Sequence, residues 1–378
     1  MRILLISTYH GGSHQAWAEG YSRYSAHDVQ LLTLPARFWK WRMHGGAVTL
    51  ARKFTQRLAS GHLAMPDLLL FTDMVDMTTF MALIRRVCPA IPAVLYMHEN
   101  QLTYPLPDST NSGPMRRQKG ERDLHYAFVN YASMLVADRI YFNSAYHRGD
   151  LFRALPRYLR HFPEFNEISS VATLEAKSRV LPPGIDGRYL EGLKPAAASD
   201  QSPLIIWNQR WEFDKDPARF LAAIEELASR GLAFRLAVCG QHFAQEPPEF
   251  ADARTRLRDR IAYWGYAPRD EYTRLLWRAT ITASTALHEF FGISILEALY
   301  CQTFAVLPRR LSYPELLPEA LHPDCLYDSS EQLIDRLTWA IMNPESAKEV
   351  GERLSRAAAA YDWRCIAQRY DAEFEGLL

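Results

Sequence analysis

The sequence predicts an α/β protein built of two Rossmann-like, doubly wound domains that face a cleft. Three observations lead there. A length of 378 residues suits two domains better than one. Short apolar runs alternate with helical or loop stretches in two successive series, the pattern of parallel sheets with helices on both faces. Between the series lie Pro182-Pro-Gly-Ile-Asp186 and a run of small and polar residues, Lys194-Pro-Ala-Ala-Ala-Ser-Asp-Gln-Ser-Pro203, the composition of a linker.

In chain order, the first series of expected strands is Arg2–Ser7, Val29–Leu34, Asp67–Thr72, Ala93–Met97, Arg139–Asn143 and Arg179–Leu181. The second is Leu204–Asn208, Arg235–Cys239, Ile261–Trp264, Ile281–Ala286, Phe304–Leu307 and Cys325–Tyr327. The stretch from Pro344 onward is mostly helical in pattern. The expected division is therefore a first domain over 1–186, a linker over 187–203, a second domain over 204–355, and a helical tail over 356–378 that packs back on the first domain. Ligands of doubly wound sheets bind at the carboxyl ends of the strands, so the loops there matter most.

Four such loops carry chemistry. After the first strand comes Tyr9-His-Gly-Gly-Ser-His14, a glycine loop opening onto a helix, without the spacing of a dinucleotide fingerprint. His98-Glu-Asn-Gln-Leu-Thr-Tyr-Pro105 follows a buried strand with polar side chains that a core does not explain. Asn208-Gln-Arg-Trp-Glu-Phe-Asp-Lys-Asp-Pro217 offers Arg210 as a planar fork and Lys215 as a point charge for a diphosphate. Finally, Ser284 to Tyr300 runs from a strand through Phe290-Phe-Gly292 into a helix starting near Ile293. Gly292 permits close backbone approach, and the helix start offers unpaired N–H groups to an anion. Glu289 and Glu297 frame that anion site and can accept hydrogen bonds from sugar or ribose hydroxyls. Taken alone, the stretch also reads as an ordinary strand–turn–helix with two solvated glutamates. The four loops together fit a nucleotide diphospho-sugar, with no metal and no cofactor required because Arg210, Lys215 and the helix start can neutralise the departing diphosphate.

Other features exclude alternatives. No run of eighteen apolar residues occurs, which argues against a membrane span, and Arg2-Ile-Leu-Leu-Ile-Ser7 lacks a secretory leader pattern. Cys88, Cys239, Cys301, Cys325 and Cys365 lack metal-ligand spacing and read as reduced thiols of a cytoplasmic protein. The formal charge is zero, yet residues 1–186 hold 21 Lys and Arg against 15 Asp and Glu. A mildly basic first half fits a polyanionic acceptor. No sequence signal bears on oligomeric state.

At Arg210, Lys215, Glu289 and Glu297, with Phe291-Gly292 between the glutamates, the chain resembles the retaining, metal-independent glycosyltransferases of the two-Rossmann-domain (GT-B) type, the glycosyltransferase family 4-like group. A narrower resemblance covers nearly the whole chain. His10-Gly-Gly-Ser-His14, Leu34-Pro-Ala-Arg-Phe-Trp-Lys-Trp-Arg42, His98 to Pro105, Arg210-Trp-Glu-Phe-Asp-Lys-Asp-Pro217 and His288-Glu-Phe-Phe-Gly292 are similar to the tRNA-queuosine alpha-mannosyltransferase family. Glu121-Arg-Asp123, Val136-Ala-Asp138, Phe142-Asn-Ser144 and Trp264-Gly-Tyr266 add to it.

That resemblance implies GDP-mannose as donor and the cyclopentenediol of queuosine in tRNA as acceptor. It implies that Glu297 meets the donor ribose and Glu289 the transferred sugar. Arg210, Lys215, Gly292, Ile293 and Gly12 would surround the diphosphate. His98 is the implied active-site histidine, acting on the donor sugar or through its backbone carbonyl on charge at the anomeric centre. The acceptor side is expected on the first domain, at His14, Trp39, Trp41, Arg42, Asn100 and Gln101. Arg37-Phe-Trp-Lys-Trp-Arg42 interleaves cations and aromatics, a chemistry that stacks bases and tracks phosphates. Arg116-Arg-Gln-Lys119 with Arg122, and Arg148, Arg153, Arg157 and Arg160, add positive charge; the last set equally describes a solvated helix face. Trp39 and Trp41 equally suit an interdomain core. The competing readings are a glycosyltransferase with another donor and a glycan, lipid or small-molecule acceptor, a nucleotide-sugar-binding protein without catalysis, and an oxidoreductase, which the glycine loops disfavour.

Overall fold

A computed structural model describes residues 1–88, 90–105, 124–196, 202–240 and 248–378. The apolar runs become strands β1 (Arg2–His10), β2 (Asp28–Pro35), β3 (Leu68–Thr72), β4 (Ala93–Met97), β5 (Arg139–Phe142), β6 (Ser178–Val180), β7 (Leu204–Trp207), β8 (Arg235–Cys239), β9 (Ile261–Gly265), β10 (Ile281–Ala283), β11 (Phe304–Pro308) and β12 (Leu326–Tyr327). They form two six-stranded sheets in the orders β2-β1-β3-β4-β5-β6 and β12-β11-β10-β7-β8-β9. Every pairing in both is parallel. This is the α/β architecture, two doubly wound parallel sheets, that the alternation predicts.

The chain divides into two units. The first comprises Met1–Gly184 together with Trp363–Leu378, and the second Ile185–Asp362. Residues 187–192, within the expected linker, are helical and belong to the second unit.

In the first unit, alternate strand residues serve opposite faces, as the two-residue period of a strand requires. Leu69, Phe71, Leu95 and Met97 pack with Phe54 and Phe80 from the helices Trp39–Ala59 and Met77–Ile84. Tyr96 and Tyr141 look the other way. Tyr96 meets Trp17 of helix Gly12–Tyr24 at a ring separation of 4.4 Å, and Tyr141 meets Phe374 of helix Trp363–Glu375 at 5.5 Å. That last helix is tied down by polar contacts as well. Tyr21 Oη donates to Asp371 at 2.9 Å, Trp17 Nε1 donates to Tyr370 Oη at 3.0 Å, and Arg179 pairs with Glu373 at 2.9 Å. Full burial of aromatic side chains such as Trp17, Tyr21 and Phe374 contributes roughly 2–3 kcal/mol each.

Two strand ends differ from expectation by three residues, the others by at most one. β1 runs on through Tyr9 and His10, because an irregularity after Ser7 restores pairing of His10 with Pro35 on β2. The glycine loop thus shrinks to Gly11, with Gly12 already opening the next helix. β10 stops at Ala283, three residues early. Beyond Ser284 side chains take over the ladder: Arg310 donates to the carbonyls of Thr285 and Ala286, and Ser284 Oγ accepts from the Ala286 N–H.

In each sheet the strand order reverses beside the first strand of the unit, between β1 and β3 and between β10 and β7. Loops leaving such neighbours part to opposite faces and open a crevice at the carboxyl ends. His14, Asp73 and His98 follow β1, β3 and β4; Asn208 to Asp216 and Ser284 to Gly292 follow β7 and β10.

Candidate functional site

In the second unit, the loop after β7 carries Lys215 into the protein. A 3-10 turn over Phe213–Lys215 leads to Asp216, whose carboxylate accepts from the Arg219 N–H at 3.3 Å and caps the next helix. Lys215 Nζ donates to the His288 carbonyl at 2.7 Å and lies 3.1 Å from Asp214 Oδ2 and 3.3 Å from Glu289 Oε2. Thr285 Oγ1 donates back to the carbonyls of Lys215 and Asp216 at 2.8 and 2.9 Å. The loops after β7 and β10 are thereby stitched together around one buried ammonium. Burial works against the charge on Lys215, but Glu289 and Asp214 outweigh it and hold its pKa above the ordinary lysine value. For Glu289, burial works upward, and Lys215 with His288 outweighs it to hold the carboxyl below the usual range. Both groups are therefore charged at neutral pH.

Gly292 has φ +94°, a left-handed conformation costly for any residue with a Cβ, and it caps the helix Ile293–Tyr300. Ser312 Oγ braces the turn by donating to the Phe291 carbonyl at 2.9 Å. The first-turn N–H groups of that helix have no place in its ladder and carry the positive end of its dipole. One turn further, Glu297 Oε1 accepts from Arg269 at 2.6 Å, and the Arg269 guanidinium rests over the rings of Tyr189 and Tyr272. Arg210 lies half exposed, 3.3 Å from Glu212. A chemical consequence follows for the expected diphosphate ligands. Arg210 is half exposed, whereas the Lys215 ammonium is buried and already hydrogen-bonded to the His288 carbonyl and Glu289, with Asp214 beside it.

In the first unit, the residues expected near the donor and acceptor separate into two groups. The His14 and His98 rings lie 4.2 Å apart, with Trp17 edge-on to His98 at 4.7 Å. Gly12, with φ +55°, begins the helix that carries His14. The His98 N–H donates to Asp73 Oδ1 at 3.0 Å, and its carbonyl accepts from Asn143 Nδ2 at 2.8 Å. Burial, with His14 and His147 nearby, holds the His98 imidazole well below the ordinary histidine pKa, so it is neutral at pH 7. Asn100 is fully buried, and its carboxamide shapes the turn by accepting from the N–H groups of Leu102 and Thr103. Gln101 is half-buried, its side chain donating to Glu99 at 2.9 Å and its N–H to Asn130 at 3.0 Å.

The second group sits on the helix Trp39–Ala59. Its cap, Phe38, takes a left-handed φ of 52° with 79% of its surface exposed. Trp41 is 64% exposed. Trp39 leans on Tyr126 at 5.2 Å with Lys40 over both rings, and Arg42 Nε donates to the Pro35 carbonyl at 3.1 Å. His44 and His125 stack beside them at 4.6 Å. The tryptophans are thus surface groups. Arg148, Arg153, Arg157 and Arg160 cluster at the helix Ala145–Leu159, where Arg148 pairs with Glu175 and Arg153 with Asp150. Arg116 to Lys119, Arg122 and Glu121 to Asp123 lie outside the described residues.

Sequence reasoning missed three supports: Asp73 beneath His98, Arg269 beside Glu297, and the Gln209–Ser284–Tyr313 hydrogen-bond cluster under the glutamate loop. Asp73 and Gln209 each stand just past the end of an apolar strand, a position that would have singled them out. Among the described residues no cluster of His, Cys, Asp and Glu has metal-binding geometry, and no helix is long and apolar enough to cross a membrane.

Residues 2–185 match the family model described as tRNA-queuosine alpha-mannosyltransferase N-terminal, and residues 193–356 match glycosyl transferases group 1. A tRNA-queuosine alpha-mannosyltransferase of Drosophila melanogaster is 30% identical over 346 residues, covering 89% of this chain and 85% of that protein. Among solved structures, sucrose-phosphate synthase from Thermosynechococcus elongatus superposes with a TM-score of 0.68 at 15% identity, over 100% of this chain and 99% of that one. Anabaena HepE in complex with UDP gives the same TM-score and identity over 100% of both chains. These two likenesses concern the fold. The N-terminal and group 1 matches, with the near full-length Drosophila relative, make this a glycosyltransferase, and the chain belongs to the tRNA-queuosine alpha-mannosyltransferase family.

Proposed function

We propose that this protein transfers mannose from GDP-mannose to the cyclopentenediol of queuosine in tRNA, with retention of anomeric configuration and without a metal ion. The observation that carries the donor half is the pairing of Lys215 with Glu289 beside the helix start at Gly292. Cationic and N–H donors there stand next to a carboxylate held ionised. A leaving diphosphate fits the donors and sugar hydroxyls fit the carboxylate. Family membership supports the acceptor, and so does the exposed basic–aromatic surface of Trp39, Lys40, Trp41 and Arg42. A tRNA acceptor sets the site of action in the cytoplasm.

In this reading the bond from the mannose anomeric carbon to the diphosphate oxygen breaks, and a bond to an acceptor hydroxyl oxygen forms on the same face. The hydroxyl proton passes to the departing diphosphate. Arg210 and the N–H groups at Ile293 meet the charge growing on that group. Lys215 exchanges one of its carboxylate contacts for a phosphate oxygen. Such interactions strengthen toward the transition state and so accelerate the reaction rather than merely tightening binding. Glu297 receives the ribose hydroxyls, with Arg269 holding its other side. Neutral His98 orients the sugar.

The test is incorporation of labelled mannose from GDP-mannose into tRNA with and without queuosine. Label restricted to queuosine-containing tRNA is expected. Turnover of a nucleotide sugar with label in neither tRNA would keep the donor half and replace the acceptor by a glycan, lipid or small molecule.

A further inference from the structure

Besides the packing of its ring against His14, Trp17 and Tyr96, His98 is held at both ends of its backbone. Its N–H donates to Asp73 Oδ1 at 3.0 Å and its carbonyl accepts from Asn143 Nδ2 at 2.8 Å. Each of these two residues is itself anchored. The Asp73 N–H donates to the Tyr96 carbonyl at 3.1 Å, and the Asp73 carbonyl accepts from Asn130 Nδ2 at 2.8 Å. Asn143 Oδ1 meets His147 Nδ1 at 2.9 Å. The same Asn130 that fixes Asp73 accepts from the Gln101 N–H at 3.0 Å, so one chain of contacts spans β3, β4, β5 and the helix Leu124–Val136.

Asp73 is 1% exposed, and its second oxygen, Oδ2, has no hydrogen-bond partner among the described residues. A buried carboxyl with one oxygen unmet is costly, and the side-chain contact that offsets this cost is the one Oδ1 makes to the His98 N–H. Strand ends do not need such a group: β3 and β4 are already paired through Thr72 and Tyr96. We infer that Asp73 is a positioning residue of the transfer reaction, whose carboxyl, with the Asn143 carboxamide at the other end of the same residue, fixes where the His98 ring stands at the carboxyl end of β4. This inference rests on the reading of His98 as an active-site group.

The consequence is a rate effect at a distance. Misplacing a reacting group's partner by about 1 Å costs on the order of a hundredfold in rate. Asp73→Ala removes the acceptor for the His98 N–H; Asp73→Asn keeps a carbonyl oxygen there. The experiment measures kcat and KM for both substrates in the full chain, together with the histidine ring NMR signals, that of His98 assigned by its loss in His98→Gln. Asp73→Ala is expected to lower kcat about a hundredfold with both KM values little changed, to shift or split the His98 signal, and to be rescued in both respects by Asp73→Asn. Asn143→Ala, which releases the other end, is expected to do the same and serves should Asp73→Ala fail to fold. A folded Asp73→Ala protein with an unmoved His98 signal and wild-type kcat overturns the inference. So does a rise in acceptor KM alone, which would mean that Asp73 meets the acceptor itself. Should no sugar transfer occur even in the unaltered protein, the proposed function fails while the NMR signal still decides whether Asp73 positions His98.

Discussion

Lys215 Nζ and Glu289 Oε2 stand 3.3 Å apart, and the same ammonium holds the His288 carbonyl at 2.7 Å. One buried cation therefore sets the position of the loop that presents Glu289 and, three residues on, the Gly292 turn. The pair holds the loop together and, in the proposed reading, also meets the donor, which shapes what its removal does.

Lys215→Ala leaves Asp214 and Glu289 facing each other without their cation. Breaking a buried pair by removing one partner typically costs about 3–5 kcal/mol. The variant is expected to melt well below the unaltered protein and, at temperatures where it stays folded, to lose a hundredfold or more of its sugar-transfer rate. Thermal melts paired with turnover assays separate the two effects; full activity would remove Lys215 from the donor site.

Glu289 has its pKa depressed in the folded protein relative to the ordinary value of 4.5. Its contribution to stability is present above that value and is lost as pH falls through the lower folded pKa. Glu289→Gln is expected to flatten the acid side of the stability profile below about pH 4.5. Melting temperature against pH in both proteins checks this.

His98 has the opposite consequence. Its folded pKa lies well below 6.5, so the unfolded chain takes up a proton that the folded protein refuses. Stability is expected to fall as pH drops below about 6.5, and His98→Gln is expected to remove part of that fall. Denaturant melts between pH 7.5 and 5, spanning the range about one unit either side of the free histidine pKa, measure it.

Glu297→Ala frees Arg269, whose guanidinium keeps its stacking on Tyr189 and Tyr272. Stability is expected to change by about 1 kcal/mol or less, while affinity for the nucleoside diphosphate drops about tenfold or more with loss of the hydrogen bonds to the ribose. Calorimetry with GDP reads the change; unaltered affinity would place the ribose elsewhere.

Trp41 and Arg42 lie on an exposed helix turn, so replacing both by Ala is expected to leave stability within about 1 kcal/mol. Acceptor KM is expected to rise while GDP affinity stays unchanged. Unchanged acceptor KM would take this turn off the acceptor surface.

The fold was legible because fully buried parallel strands are near-continuous apolar runs that no loop imitates. Each run ended close to where its strand ends, except at β1, which a bulge carries on to His10, and at β10, where Arg310 takes over from ladder pairing beyond Ala283. The glutamate loop was legible because its glycine turn and helix start are local in sequence. Asp73 was not, since its chemistry depends on His98, 25 residues away, and on Asn130 at a separation of 57. The burial of the Lys215 ammonium was equally hidden: one aimed at a ligand and one bonded to a carbonyl 73 residues away look alike in a string of letters.

The helix Trp363–Glu375 belongs to the first unit, although the whole of Ile185–Asp362 separates it from Gly184. A ribosome must therefore finish the second unit before the first can close over Trp17, Tyr21 and Tyr96. During that interval a growing chain exposes a large aromatic face, a natural target for chaperones that grip nascent polypeptides. Cutting residues 363–378 away would make that transient state permanent.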